Sequence, residues 1–249
     1  SFQELGLDET LGAQLERLIR LPHGILLVTG PTGSGKTTTL YAALNLINSV
    51  DKNIITIEDP VEYRLPRLTQ VQVNPKAEVT FASALRSFLR QDPDVIMVGE
   101  VRDRETAEIA VQAALTGHLV LSTLHTNDAP TSLTRLLDME IEPFLIASSV
   151  VGVLAQRLVR VICPKCKVSY QPEQRVLDAY ALPPDAVLYR GKGCQACRQS
   201  GYKGRIGIFE LLVMGESIKS LIISKTAAHI VQQAACQVGM RLMREDGVA

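Results

Sequence analysis

Gly30-Pro31-Thr32-Gly33-Ser34-Gly35-Lys36-Thr37 fits the pattern Gly-x4-Gly-Lys-[Ser/Thr] at every fixed position. No other feature constrains this chain as strongly. The glycines let the backbone curl so that successive N–H groups point at one centre, which suits phosphate oxygens. Lys36 reaches the β- and γ-phosphates, and the Thr37 hydroxyl ligates Mg²⁺. The motif needs a strand before it and a helix after it. Ile25-Leu26-Leu27-Val28-Thr29 is an apolar run suited to a buried parallel strand, and Thr37 to about Asn48 reads as a helix whose N-terminus faces the anion. The expected contacts to ATP are Gly30, Pro31, Thr32, Gly33, Ser34, Gly35, Lys36, Thr37 and Thr38.

Strands and helices alternate on either side of this loop. Asp8 and Thr10 can cap a helix with Leu11, Leu15, Leu18 and Ile19 on one face. Ile54–Ile57, Val95–Val98 and Leu119–Thr123 read as buried strands. Thr80 starts a helix carrying Phe81, Leu85, Phe88 and Leu89, while Asp103 to Leu115 forms another that Gly117 stops. This order predicts an α/β fold, a RecA-like P-loop NTPase with a parallel-rich central sheet. A helix is expected from about Pro143 to Gln156, and helical structure again from about Ile206. The chain therefore divides into a P-loop core (1–160), a cysteine-bearing module (161–205) and a truncated helical part (206–249).

Lys+Arg and Asp+Glu are equal at 26 each, so the basic footprint expected of a nucleic-acid binder is missing. Aromatic residues are 4% with no Trp, which leaves little to stack single-stranded bases on. The longest apolar stretch, Phe144 to Ala155, is interrupted by Ser148, Ser149 and Gly152 and falls short of the roughly 20 residues that cross a bilayer. With no signal peptide visible, a cytoplasmic location is expected. The first residue is Ser, and a fragment of a longer protein is expected.

Hydrolysis of a bound nucleotide needs acids near the metal and the attacking water. Glu100 follows the strand Val95–Val98 and falls at the carboxyl edge of the sheet, where it would hold Mg²⁺ directly or through water. Glu58, Asp59 and Glu62 cluster after the second strand, and either Glu58 or Glu62 could polarise water; turn chemistry at Asp59-Pro60 with solvated acids is the alternative. His118 precedes the fourth strand. His125 follows it, where it could sense a γ-phosphate or serve as a structural hydrogen bonder. Arg86, Arg90, Arg102, Arg104, Arg135, Arg157 and Arg160 accompany these blocks, and one of them could act across a subunit interface.

The phosphate loop, ITIEDPVEY (Ile55–Tyr63), LRQDPDVIMVGEVRD (Leu89–Asp103) and TGHLVLSTLHTNDA (Thr116–Ala129) come in this order. Together with LPHG (Leu21–Gly24), IEPF (Ile141–Phe144) and LAQRLVR (Leu154–Arg160), they resemble the secretion ATPase superfamily. Its members call the four blocks Walker A, Asp box, Walker B and His box. The resemblance implies that Glu62 is the catalytic glutamate, with Glu58 the second candidate, that Glu100 is the Walker B acid, and that His118 and His125 lie near the γ-phosphate. It implies an ATPase motor powering type II secretion or, alternatively, type IV pilus assembly. The motor would be a homo-hexamer peripheral on the cytoplasmic face of the inner membrane, working on platform and adaptor proteins there. A nucleic-acid motor and a non-hydrolysing nucleotide-gated module are the competing classes. The superfamily's N-terminal domains supply arginines to the nucleotide, and the resemblance implies that this chain starts at about the linker into the ATPase domain.

Two CxxC pairs, Cys163-Pro164-Lys165-Cys166 and Cys194-Gln195-Ala196-Cys197, can converge as a tetrahedral S₄ site, which suits structural Zn²⁺. Lys167 to Gly193 between them exceeds a compact finger, so an inserted lobe is expected. Two disulfides are the alternative, disfavoured in a cytosolic protein. Cys236 reads as a small buried residue.

Overall fold

The computed structural model describes residues 2–248. Two N-terminal helices, α1 (Phe2–Leu5) and α2 (Glu9–Ile19), lead into β1 (Gly24–Thr29), α3 (Lys36–Ile47), β2 (Ile54–Glu58) and β3 (Thr69–Gln72). The α/β alternation continues with α4 (Phe81–Phe88), β4 (Val95–Val98), α5 (Arg104–Leu115), β5 (Leu119–Leu124), α6 (Ala129–Asp138) and α7 (Pro143–Ser149). Then come β6 (Val150–Ile162), β7 (Lys167–Tyr170), α8 (Gln174–Tyr180), β8 (Leu188–Gly191) and β9 (Tyr202–Val213). Three helices follow: α9 (Glu216–Ile223), α10 (Ala228–Gln237) and α11 (Met243–Asp246).

Seven strands form one sheet in the order β3-β2-β4-β5-β1-β6-β9. All neighbours are parallel except β9, which runs antiparallel to β6. Side chains along β1 alternate between the two faces, as strand geometry requires. Ile25 and Leu27 enter one core with α4, α5, α6, α7, α9 and α10. Leu26 and Val28 enter the other with α1, α2 and α3. Two helix starts follow the expected caps, with Asp8 accepting from the Leu11 N–H and Thr80 forming a capping box with Ser83, while Asp103, expected as the first residue of its helix, caps it by accepting from the Thr106 N–H.

Two expectations need correction. The helix from Pro143 ends at Ser149, and Val150 to Ile162 is strand. The β-branched residues Val150, Val151 and Val153 favour extended backbone, and β1 offers a free edge to pair with. The stretch from Ile206, expected to be helical, is strand up to Val213, and helix begins only at Glu216. Residues 202–213 therefore complete the central sheet. The segment with the cysteines is an insertion between two antiparallel neighbours. No helix among the described residues is long and apolar enough to cross a membrane.

Candidate nucleotide site and tetracysteine centre

Parallel strands in one register bring their carboxyl ends to one edge. Here the ends of β1, β2, β4 and β5 deliver the phosphate loop, Glu58, Glu100 and His125 to a single cavity of about 520 Å³. Thr32, Gly33, Ser34, Gly35, Lys36, Thr37 and Thr38 line it, joined by Asp59, Pro60 and Glu62. A second cavity of about 550 Å³, between α2, β9 and α10, holds none of these groups.

Backbone geometry shapes the loop. Gly30 has φ +147, and a Cβ there would lie 2.4 Å from the Gln156 carbonyl oxygen and 2.6 Å from Ser34 Oγ. Only glycine fits. Lys36 is buried and folds back, with Nζ donating to the carbonyls of Gly30 (2.8 Å) and Pro31 (3.1 Å). Burial lowers its pKa, against the opposing pull of the Glu100 charge. Ser34 Oγ is buried and has no hydrogen-bond partner among the described residues. An orphaned hydroxyl beside a lysine and a glycine cradle fits a polyphosphate. From β6, Gln156 Nε2 donates to the Ser34 carbonyl at 2.6 Å and clamps the loop from behind.

Glu100 sits at 12% side-chain exposure with both oxygens engaged: Oε1 meets Arg102 at 2.5 Å and Oε2 lies 3.2 Å from His125 Nε2. It lines the cavity together with Thr37, so the two proposed Mg²⁺ ligands share one space. Glu58 and Glu62 separate clearly. Glu58 is 2% exposed, and its carboxylate accepts from the Tyr41 hydroxyl, from Thr56 Oγ1 at 2.5 Å and from Gln70 Nε2 at 3.1 Å. Glu62 is exposed and faces the same cavity.

His118 does not join this group. It stands before β5 at the amino edge, with Nδ1 2.8 Å from the Ala113 carbonyl, while the phosphate loop lies at the carboxyl edge. Six extended residues span about 20 Å, so within one chain His118 cannot reach the phosphates that His125 can approach.

Arg205, on β9, also lines the cavity, as does Leu158 on β6. Arg205 had no sequence signal, because the whole cysteine segment separates β9 from the loop, whereas Leu158 lies in the LAQRLVR block. Gln156 lies in the same block, but nothing local to it showed that its side chain would reach the phosphate loop.

The four cysteines meet where β6 leaves the sheet and β9 returns. Cys163 Sγ is 3.9 Å from Cys194 Sγ, Cys166 is 3.9 Å from Cys197, and Cys194 is 3.7 Å from Cys197. All four sulfurs lie within 4.8 Å of one another. A tetrahedron with Zn–S bonds of about 2.3 Å has sulfur–sulfur edges of ~3.8 Å, so the donor set fits that ion. All five cysteines of the chain, Cys236 included, are free thiols, and Cys236 is exposed rather than buried. The N–H groups of Cys194 and Gly201 point at Cys197 Sγ, at 3.2 and 3.3 Å. Beyond the knuckles, β7 and β8 pair antiparallel and, with α8, build the expected lobe. Its base is tight, since a Cβ on Gly191 would lie 2.0 Å from the Gly201 carbonyl oxygen.

Comparison with known proteins agrees with this geometry. The family model described as "Type II/IV secretion system protein" matches residues 1–249. "Type II secretion system protein E" of Pseudomonas aeruginosa is 55% identical over 249 residues, covering 99% of this chain and 49% of the relative. "Type IV pilus assembly ATPase PilB" of Thermus thermophilus is 50% identical, covering 99% of this chain and 28% of the relative. The chain thus spans about half the length of the first of these or less. Among solved structures, the pilus retraction motor PilT with bound ADP superposes with a TM-score of 0.69 at 30% identity, covering 100% of this chain and 66% of that one. A phosphate loop opposite Glu100 and His125 on a mostly parallel sheet, matched along the whole chain, places this protein in the type II/IV secretion system ATPase family.

Proposed function

We propose that this chain is the ATP-hydrolysing motor domain of a type II secretion machine, driving pseudopilus assembly from the cytoplasmic face of the inner membrane. The observation that carries it is the cavity in which the phosphate loop, Glu100, His125 and Glu62 face one another. Lys36 leaves the Gly30 and Pro31 carbonyls for the β- and γ-phosphates, and Ser34 and the loop N–H groups cradle them. Thr37 and Glu100 would hold Mg²⁺, which would supply charge neutralisation at the transferring phosphoryl group. Glu62 orients the attacking water and accepts its proton, because Glu58 has its oxygens committed to buried donors. His125 reports the γ-phosphate state to Glu100. Cys163, Cys166, Cys194 and Cys197 would hold Zn²⁺ in a structural role, since four thiolates would leave no open position for chemistry.

The working assembly is a homo-hexamer in which arginines from neighbouring subunits complete each site, and its partners are platform and adaptor proteins of the membrane machine. A second reading, extension of a type IV pilus, has the 50% identity to PilB behind it. Equal numbers of basic and acidic residues speak against a nucleic-acid track.

The test is Mg²⁺-dependent phosphate release from ATP across a range of protein concentrations, with Lys36→Ala as the blank. Activity per chain should rise with concentration. Flat activity that Lys36→Ala abolishes would defeat the ring mechanism, and activity that survives Lys36→Ala would defeat the site.

A further inference from the structure

The segment between β2 and β3 carries Glu62, and most of it is exposed. Such a segment wanders unless its backbone is held. Polar side chains hold this one, buried at Tyr41, Glu58 and Gln70 and exposed at Gln72. Tyr41, on α3, is 0% exposed, and its hydroxyl donates to Glu58 Oε2. Gln70, on β3, donates from Nε2 to Glu58 Oε1 at 3.1 Å and to the Tyr63 carbonyl at 3.2 Å. Its Oε1 accepts from the Leu65 N–H at 2.7 Å. Gln72, on the same face two residues on, accepts from the Val61 N–H at 3.2 Å. The Tyr63 ring packs edge-on against Tyr41 with centroids 4.5 Å apart. The backbone is thus pinned at 61, 63 and 65, on both sides of Glu62.

Buried polar groups need partners in any core. This network does more than satisfy itself, because its anchor is Tyr41. Tyr41 lies on the helix that begins with Lys36 and Thr37, so a rigid element joins the phosphate contacts to the network. Burial, the bond to Glu58 and the Glu58 charge all push the Tyr41 phenol up, so it stays a donor at any working pH.

We propose that Tyr41 and Gln70, acting through the buried Glu58 carboxylate, are positioning residues that hold Glu62 in register with the phosphate-loop helix. The proposal rests on the assignment of Glu62 as the residue that orients water. Misplacing a reacting group by about 1 Å costs up to about 100-fold, so loss of one hydroxyl from the network should be visible in turnover.

The experiment is a double-mutant cycle on the chain with Tyr41→Phe and Glu62→Gln, with Gln70→Ala as a second variant. It is read by kcat and KM for ATP and by amide hydrogen exchange over residues 61–65. Tyr41→Phe should lower kcat about tenfold, leave KM within about twofold and speed exchange at Leu65, whose N–H Gln70 holds. In the Glu62→Gln background the same change should alter kcat less than about twofold. Equal losses in both backgrounds, or unchanged exchange in both Tyr41→Phe and Gln70→Ala, overturn the proposal. If Glu62→Gln keeps full turnover, the Glu62 assignment falls and the positioning role with it. If the parent chain shows no Lys36-dependent turnover, the motor reading fails, and unchanged exchange in the variants then overturns the pinning on its own.

Discussion

Gln156 is the most informative single perturbation. Its amide is 1% exposed and donates to the Ser34 carbonyl at 2.6 Å, inside the loop that would enclose the phosphates. Replacing it with Ala leaves that buried carbonyl without a donor, a loss of about 1–3 kcal/mol. Part of this is returned, because Gln156 Oε1 has no partner among the described residues and its desolvation is relieved. A net loss of about 1–2 kcal/mol follows. It falls on the receiving shape of the loop, so nucleotide affinity should weaken about 5- to 30-fold. Gln156→Glu should be worse, since it removes the donor and places a negative charge beside the phosphates. The assay is titration with a fluorescent ATP analogue in Mg²⁺, alongside thermal melts with and without ADP. An unchanged dissociation constant together with a lowered melting temperature would mean that the bond serves the fold and not the loop, and the reasoning above would be refuted.

Three further outcomes are expected. Chelation should remove about one zinc per chain and release a constraint of about 4 kcal/mol, judged from a cross-link closing the loop from Cys163 to Cys194. Proteolysis should then begin within 163–201 while the sheet stays resistant; an unaltered cleavage pattern after metal loss would count against a structural ion. The lowered Lys36 pKa means that the ammonium form, and with it ATP affinity, is lost as pH rises through a value below the ordinary 10.5. Glu100→Gln removes the charge that supports the ammonium, so this alkaline limb should move to lower pH, and a limb that stays in place argues against the coupling. Burial raises the Glu210 pKa, with Asp128 and Glu245 adding to it and the Ala129 and Met243 N–H groups opposing. The folded state therefore keeps a proton that the unfolded chain has released, and stability falls as pH rises from the ordinary carboxylate value through the raised one. Glu210→Gln should flatten that slope in urea unfolding, and an identical slope in both proteins would exclude Glu210 as its source.

The phosphate loop was legible because its chemistry is local: spacing, a glycine cradle and a strand–helix frame all lie within about 25 residues. The same holds for the helix caps, the parallel strands and the CxxC pairs, each of which signals within a few positions. Where the sequence reading failed, longer-range pairing decided. Val150 to Gln156 and Ile206 to Val213 carry apolar residues whose spacing suits either helix or strand. Their extended state was settled by the edge of β1 and by each other.

The sequence by itself determined that four blocks of polar residues would gather at one edge of an α/β sheet, because a parallel register admits only one carboxyl edge. It could not choose between Glu58 and Glu62, which sit four residues apart in the same block. Burial separated them: Tyr41, Thr56 and Gln70 surround Glu58, while Glu62 is left open to the cavity. It placed His118 before and His125 after one strand, but the resemblance set both near the γ-phosphate, and only the assembled sheet leaves His118 at the far edge. Gln156 and Arg205 reach the site only because β6 and β9 close the sheet beside the phosphate loop. Distances across strands are properties of the assembled sheet, and no local pattern encodes them.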